Sequence, residues 1–251
     1  MPESSVQSKR ILVTGSSRGI GAAIAERLLS DGHQVTGTNY RTDFPESISS
    51  HTSFQGINVN LSDSAEVKSK IAPLFSGSNP PDVLINNAAI FETVQFENPD
   101  DEEFLEGWNR HCNINMLIPA YLTRLALNSW VPGRKGIIIN ISSRAAYRGE
   151  TKDYAPYAAT KAALTGLTKT VARGYGKDGI TAFTIAPGYV ETDMAVQAIK
   201  QYGKDAVTKD NTLDDIIPPE QIGELCSVIV TGKLSHMTGT TLHINSGSYL
   251  I

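Results

Sequence analysis

Tyr157 and Lys161 stand four residues apart in the run YAATKAALTGLTKTVA. On a helix they share one face, and the residues between them, Ala158, Ala159 and Thr160, are small. A free phenol has a pKa of about 10 and exchanges protons poorly near neutrality. A neighbouring ammonium favours the phenolate and is expected to lower that value, towards the range a general acid needs. Taken alone, such a pair is also compatible with a half-buried tyrosine beside a surface lysine. The rest of the chain decides its meaning.

A second motif concerns phosphate. The run RILVTGSSRGIGAAIAERLLS places Gly15, Gly19 and Gly21 between an apolar strand and an amphipathic helix. Glycines let the backbone turn sharply, and a helix start offers free N–H groups to an anion. That context is the one a dinucleotide fingerprint requires. Metal chemistry has no comparable support. His33, His51, His111, His236 and His243 are scattered, and Cys112 and Cys226 form no cluster. No metal site is expected.

The strands expected to position these residues are Arg10–Thr14, Gln34–Asn39, Ser53–Val59, Val83–Asn86, Gly136–Ser142, Thr181–Ala186 and Thr241–Ile244. Helical patterns such as Ile20–Ser30 and Ala158–Gly174 lie between them. The strand runs ILV, VLI and IIINI are apolar on both faces, as in a parallel sheet covered on each side. The alternation implies an α/β, doubly wound parallel sheet with helices on both faces. No linker or repeat interrupts residues 1–251, so one domain is expected. Glu97–Glu106 reads as a solvated helix start, with acids at its positive end. Ala195–Pro219 is polar and irregular, and is expected to be a substrate lid.

The 251 residues are 40% hydrophobic and 19% charged, with net charge -4. This balance disfavours nucleic-acid binding, which needs a basic face. No apolar run approaches the ~20 residues that span a bilayer, so no membrane association is expected. The polar lead-in MPESSVQSKR lacks the apolar core of a signal peptide, and a cytoplasmic protein with reduced thiols is expected.

The loop spacing is G-x-x-x-G-x-G preceded by Thr14. This form resembles the short-chain dehydrogenase/reductase family, whose loop is TGxxxGxG. Further marks follow in the family's order across nearly the whole chain. Asn86–Ala89 (NNAA) resembles its NNAG. Asn115 follows Trp108 by seven, where the family places a helical asparagine. Ile141–Ser143 (ISS), YAATK and Pro187–Thr192 (PGYVET) complete the set. Among subgroups, the chain looks most like the 3-oxoacyl-[acyl carrier protein] reductase type.

The resemblance implies a seven-stranded Rossmann-type sheet and an oxidoreductase that reduces a ketone or 3-oxoacyl group to the alcohol, or the reverse. Ser143 would hold the carbonyl oxygen while Tyr157 protonates it; Ser142 is the competing choice. Lys161 would tune Tyr157 and bind the nicotinamide ribose, and Asn115 would hold a water linking Lys161 to solvent. The phosphates would lie on Gly15, Ser17, Arg18, Gly19, Ile20 and Gly21. The adenosine end would meet Asn39, Tyr40, Arg41, Asn60 and Leu61. Asn87 and Ala88 would line the middle, and Asn87 is also a candidate strand tie. Pro187, Gly188, Val190 and Thr192 would face the nicotinamide, with Tyr157 and Lys161; Thr192 is equally an N-cap of the following helix. The chain departs from the family pattern at Ala89, Asn60 and Ser246.

Residue chemistry points to NADP(H). NAD enzymes of this fold place an acid after the second strand. Here Asn39 holds that place, with Arg41 close behind, Arg18 in the glycine loop and Asp43 as a possible competitor. Guanidinium is the natural partner of a 2′-phosphate. A homotetramer is expected, mostly from the resemblance, with the apolar end SYLI as a supporting hint. Acyl carrier protein is a weaker partner expectation. Of the basic places found in related reductases, Arg134 and Lys135 are present, but Asp178 stands where a base would be, beside Lys177. Small ketones, alcohols or 3-oxoacyl thioesters are therefore favoured over carrier-bound substrates. The alternative from another class is a dinucleotide-binding regulator or sensor without chemistry, which would be expected to lack part of the Asn–Ser–Tyr–Lys set.

Overall fold

The computed structural model describes residues 7–131, 133–192, 195–196, 199–200 and 203–250. Seven parallel strands form one sheet in the order β3-β2-β1-β4-β5-β6-β7. They are β1 (Arg10–Val13), β2 (Gln34–Asn39), β3 (Phe54–Asn58), β4 (Val83–Asn86), β5 (Gly136–Ile141), β6 (Ile180–Pro187) and β7 (Thr241–Ile244). The helices of twelve or more residues among those described are α1 (Gly19–Ser30), α2 (Asp101–Cys112), α3 (Ile118–Trp130), α4 (Ala155–Tyr175) and α5 (Pro219–Val230).

The continuous apolar strands are buried on both faces. Ile11 and Val13 of β1 join Ile85, Ile139 and Phe183 in a core covered by α1 and α5 through Ile24, Leu28, Ile222 and Ile229. Leu12, Leu84 and Ile138 point the other way, into a core with Leu122 and Trp130 of α3 and Val171 of α4. Alternation of side chains along each strand sends successive residues to opposite layers. One contact is unusually close: a β-carbon on Gly136 would lie 2.1 Å from the Trp130 ring. Trp130 donates its indole N–H to the Pro81 carbonyl at 2.7 Å.

Local chemistry sets the element ends. Asp100 accepts from the N–H groups of Glu102 and Glu103 and so caps α2, and the helix start expected within Glu97–Glu106 falls at Asp101. Between α2 and α3 the chain makes a π-helical turn, Asn113–Leu117, which the sequence did not suggest. The sheet changes winding direction between β1, which pairs with β2, and its other neighbour β4. Ligands of such sheets sit above the strand C-termini at this point.

The expected lid, Ala195–Pro219, lies in part outside the described residues, at 197–198 and 201–202. Its described portion contains a short helix, Lys204–Thr208. Its later part is tied to the body: Thr212 N–H donates to the Ser246 carbonyl at 2.7 Å, and Ile217 N–H to the Tyr189 carbonyl at 2.9 Å. Pro219 already opens α5. The apolar end also lies partly outside, because Ile251 is not described; Leu250 is 81% exposed.

Candidate active site

α4 carries Tyr157 and Lys161 one turn apart, beside the C-terminal end of β5. Lys161 is 2% exposed. Its Nζ donates to the Ile141 carbonyl at 2.8 Å and lies 5.7 Å from the centroid of the Tyr157 ring. The two serines after β5 have different partners. Ser142 is buried and donates its Oγ–H to the Lys161 carbonyl at 2.8 Å. Ser143 turns to Tyr157, with which it shares a side-chain hydrogen bond, and its Oγ accepts from the Ala145 N–H at 3.1 Å. Of the two hydroxyls, only that of Ser143 meets the phenol.

Burial pushes the Tyr157 phenol up to about 12, against the lowering bond from Ser143 and with a further upward push from the Glu150 carboxylate. Burial takes the Lys161 ammonium down to about 7. These directions correct the expectation that the ammonium lowers the phenol. Both groups occupy the same low-dielectric space, so desolvation penalises each charged form. The result is a phenol that holds its proton across the neutral range, beside an amine that titrates there.

Asn115 is fully buried in the π-helical turn. Its Oδ1 accepts from the Ile90 N–H at 2.9 Å, and its Nδ2 donates to the Ile90 carbonyl at 3.0 Å. The side chain therefore anchors the segment after β4. The wider π turn breaks the regular backbone ladder at this point, and Asn115 Nδ2 also reaches the Thr160 hydroxyl of α4 at 3.3 Å.

The sequence reading missed the aromatic wall. Phe91 stacks on Tyr154 with centroids 4.0 Å apart and meets Tyr157 edge-on at 4.7 Å. Lys152 pairs with Glu97 at 2.8 Å, and the Val94 N–H donates to the Asp153 carbonyl, strapping the two segments together. The only available signal was aromatic type; nothing in the spacing of Phe91 and Tyr154 announces their meeting.

The glycine loop faces this cluster from the β1 side. Gly15 and Gly19 have φ of +67° and +54°, a region that favours glycine. A β-carbon at Gly21 would lie 2.0 Å from the Gly15 carbonyl oxygen, and one at Gly19 would lie 2.9 Å from Thr192 Cγ2. Thr192 thus packs on the loop. On the β2 side of the loop, Ser16 Oγ and Asn39 Oδ1 are buried without partners, and such atoms call for an outside partner. The first N–H groups of α1 have no intrahelical acceptors. These features fit a bound dinucleotide.

Several other expected contacts are engaged within the chain. Asn87 Nδ2 donates to the Thr14 and Gly15 carbonyls, both at 2.9 Å, and ties β4 to the loop. Ala88 packs against Gly15. Asn60 Oδ1 accepts from the N–H and hydroxyl of Ser62, and Leu61 packs partly buried on the second core. Thr192 Oγ1 donates to the Val190 carbonyl at 3.3 Å, while Val190 bridges to Ile217. Pro187 ends β6, and the Gly188 N–H donates to Ile244. Ala89 is exposed and needs no positive φ, so the added methyl is accommodated. Ser246 does adopt positive φ, at +54°.

Arg134 and Lys135 lie just before β5, at the opposite end of the sheet from Ser143. Arg134 pairs with Asp82 at 3.2 Å, as Arg10 does at 2.9 Å. Lys135 packs against Gly179, next to Lys177 and Asp178. With Lys9, Arg10 and Asp82, Arg134 and Lys135 border a cavity of about 810 Å³ under the strand N-termini. Within one chain the six residues of β5 separate this basic place from the catalytic cluster. Among the described residues no group of three metal-ligating side chains gathers, and no helix is long and apolar enough to cross a membrane.

A short chain dehydrogenase family model matches residues 9–203. The 3-oxoacyl-[acyl-carrier-protein] reductase FabG of Salmonella typhimurium is 31% identical over 249 residues, covering 98% of this chain and 100% of the relative. The Vibrio harveyi protein of the same name is 32% identical, with 98% and 99% covered. Among solved structures, 4-hydroxyisoleucine dehydrogenase complexed with NADH superposes with a TM-score of 0.85 at 24% identity, covering 96% of this chain and 98% of the other. A short chain dehydrogenase/reductase family protein gives 0.83 at 27% identity, with 98% and 100% covered.

Proposed function

This chain belongs to the short chain dehydrogenase family, and from that premise we propose that it reduces a ketone or 3-oxoacyl group to the alcohol with NADP(H). That it is an oxidoreductase using a nicotinamide dinucleotide follows from the family; the cofactor, substrate and residue roles are our reading. The observation that carries it is the cluster of half-buried Ser143 and Tyr157 with buried Lys161, which lies with the glycine loop at the strand C-termini.

When bound, the nicotinamide supplies the hydride. The chain's residues manage the oxygen and its proton. Negative charge grows on a carbonyl oxygen as its carbon is reduced, and donors aimed there stabilise it. Ser143 and Tyr157 are adjacent hydroxyls placed for this. The raised phenol pKa keeps Tyr157 a donor at neutral pH, which suits the reductive direction. Lys161 sits behind it and can replenish the proton, with the π turn at Asn115 as the path towards water. Phe91 and Tyr154 wall the reacting side.

NADP(H) is supported by the end of β2. Asn39 carries no charge, and its Nδ2 donates to the Thr42 carbonyl. Arg41 follows at φ +62°, its guanidinium 4.7 Å from the Tyr40 ring centroid, and Arg18 precedes α1. Asp43 is exposed. Replacing Arg18 and Arg41 together by Ala should raise the KM for NADPH at least ~10-fold, the scale of lost charged hydrogen bonds, while the KM for NADH should change less. A wild-type preference for NADH would overturn the assignment.

We read the enzyme as a cytoplasmic homotetramer acting on small ketones, alcohols or 3-oxoacyl thioesters. The unpaired thiols of Cys112 and Cys226 suit a reducing compartment. Carrier-protein delivery has less support, since the basic patch of Arg134 and Lys135 lies away from the chain's own pocket. An assay of cofactor oxidation over a ketone panel tests the core proposal. Tight dinucleotide binding with no turnover on any carbonyl would favour a regulator instead.

A further inference from the structure

Arg144 directly follows Ser143 and is 3% exposed. Its backbone is fixed, because its N–H donates to the Pro187 carbonyl at 2.8 Å. Its guanidinium lies 4.4 Å from the ring centroid of Tyr189, in the PGYVET loop. The side chain thus bridges the two loops that border the reacting centre. No carboxylate lies within ion-pair distance of it among the described residues, and its Nη1 is buried with no hydrogen-bond partner.

A buried guanidinium without a counter-charge is costly, and proteins pair such groups. The neighbouring acids are engaged elsewhere. Arg148 takes Asp210 at 3.1 Å and Glu150 at 3.7 Å. Glu150 acts through space on Arg144 without pairing with it, and Arg144 directly follows Ser143, which bonds the phenol. Tyr189 supplies a ring face and a hydrogen bond but no formal charge opposite the guanidinium.

We infer that Arg144 is the anion-recognising group of the substrate pocket, and that the physiological substrate carries a carboxylate close to the carbonyl that is reduced. The inference rests on the oxidoreductase reading above and names its substrate class. One planar guanidinium matches one carboxylate in a two-point contact. A phosphate dianion fits less well, because the Glu150 carboxylate acts on the site and the second arginine, Arg148, is already paired. Charge recognition here would orient the substrate so that its carbonyl meets Ser143 and Tyr157. Arg144 is in these terms a specificity residue, distinct from the groups that handle the proton.

The test compares acetoacetate with methyl acetoacetate, which share the reducible carbonyl and differ in charge. Wild-type enzyme should favour the acid in kcat/KM by at least ~10-fold, the scale of a charge-assisted contact. Arg144→Met should bring that ratio to about 1, and Arg144→Lys should leave it between the two. A wild-type ratio near 1, or an unchanged ratio in Arg144→Met, would overturn the inference while leaving the oxidoreductase reading intact. Dinucleotide binding by each variant reports whether it has folded. Calorimetry with malonate on the dinucleotide-loaded protein reads the same contact without turnover. Binding that Arg144→Met weakens at least ~10-fold supports the inference; no binding, or equal binding, counts against it even if neither ketone is reduced.

Discussion

Ser142 and Ser143 are the same residue type one position apart, yet their surroundings divide them. Ser142 holds the backbone of α4 at Lys161, whereas Ser143 reaches the Tyr157 phenol. Ser143→Ala should therefore lower turnover ~100-fold, as for loss of a transition-state donor. Ser142→Ala should instead cost about 1 kcal/mol of stability, readable in denaturant melts. Sequence could nominate the pair but not divide it, because the choice depends on strand register at the end of β5. The same holds for Arg144, whose burial and missing partner are tertiary facts. Lys161 carries a stability prediction. An ordinary lysine keeps its proton up to about 10.4, while buried Lys161 releases it near 7, at about 7 in the folded chain. Between those values the unfolded chain binds the extra proton, so stability should rise with pH from about 7 to about 10. Below that window both states are protonated and the penalty is constant. Above about pH 10 the raised Tyr157 reverses the slope, since the unfolded chain then loses its phenolic proton first. Lys161→Met should flatten the rise and lift Tm near neutrality by about 3–8 °C. An unaltered pH profile of thermal melts would contradict the burial argument.

At the scale of elements, glycines mark where backbones and rings must touch. Gly21→Ala would drive a methyl into the Gly15 carbonyl, so dinucleotide affinity should fall at least ~10-fold as the loop distorts, measurable by fluorescence titration. Gly136→Ala would meet the Trp130 ring and should destabilise the fold by about 1–3 kcal/mol. Its effect on dinucleotide affinity should be much smaller, because Gly136 lies at the far end of β5. Strands were legible because their apolar runs have the lengths and flanks of buried parallel strands. β2, β4 and β7 have the bounds read from sequence, β1 and β5 end one residue earlier, and β3 and β6 shift by one residue at both ends. The π turn at Asn113–Leu117 was not legible: its residues NINML fit an ordinary helix, and only packing around buried Asn115 opens the extra residue. The irregular stretch after β6 announced itself by composition, but its ties to Tyr189 and Ser246 did not.

For the whole molecule, topology supplies a lesson about reading charge. Arg134, Lys135 and Lys177 precede strands of a parallel sheet, so they must gather at its N-terminal end, away from ligands. The likeness to related reductases suggested carrier docking at these places; the direction of β5 sets them apart from the catalytic cluster within one chain. The exposed Leu250 and the exposed Leu117 beside α3 fit surfaces covered in an assembly, and sedimentation at micromolar concentration should give a tetramer rather than a monomer. The central claim, that this fold carries out carbonyl reduction with Tyr157 as proton donor, is tested most directly by one comparison. Wild-type protein and Tyr157→Phe are assayed for NADPH oxidation over a panel of ketones, with dinucleotide affinity measured for both. The account expects turnover by the wild type, a loss of at least ~100-fold in the variant, and similar dinucleotide affinity. Near-normal turnover without the phenol would contradict it.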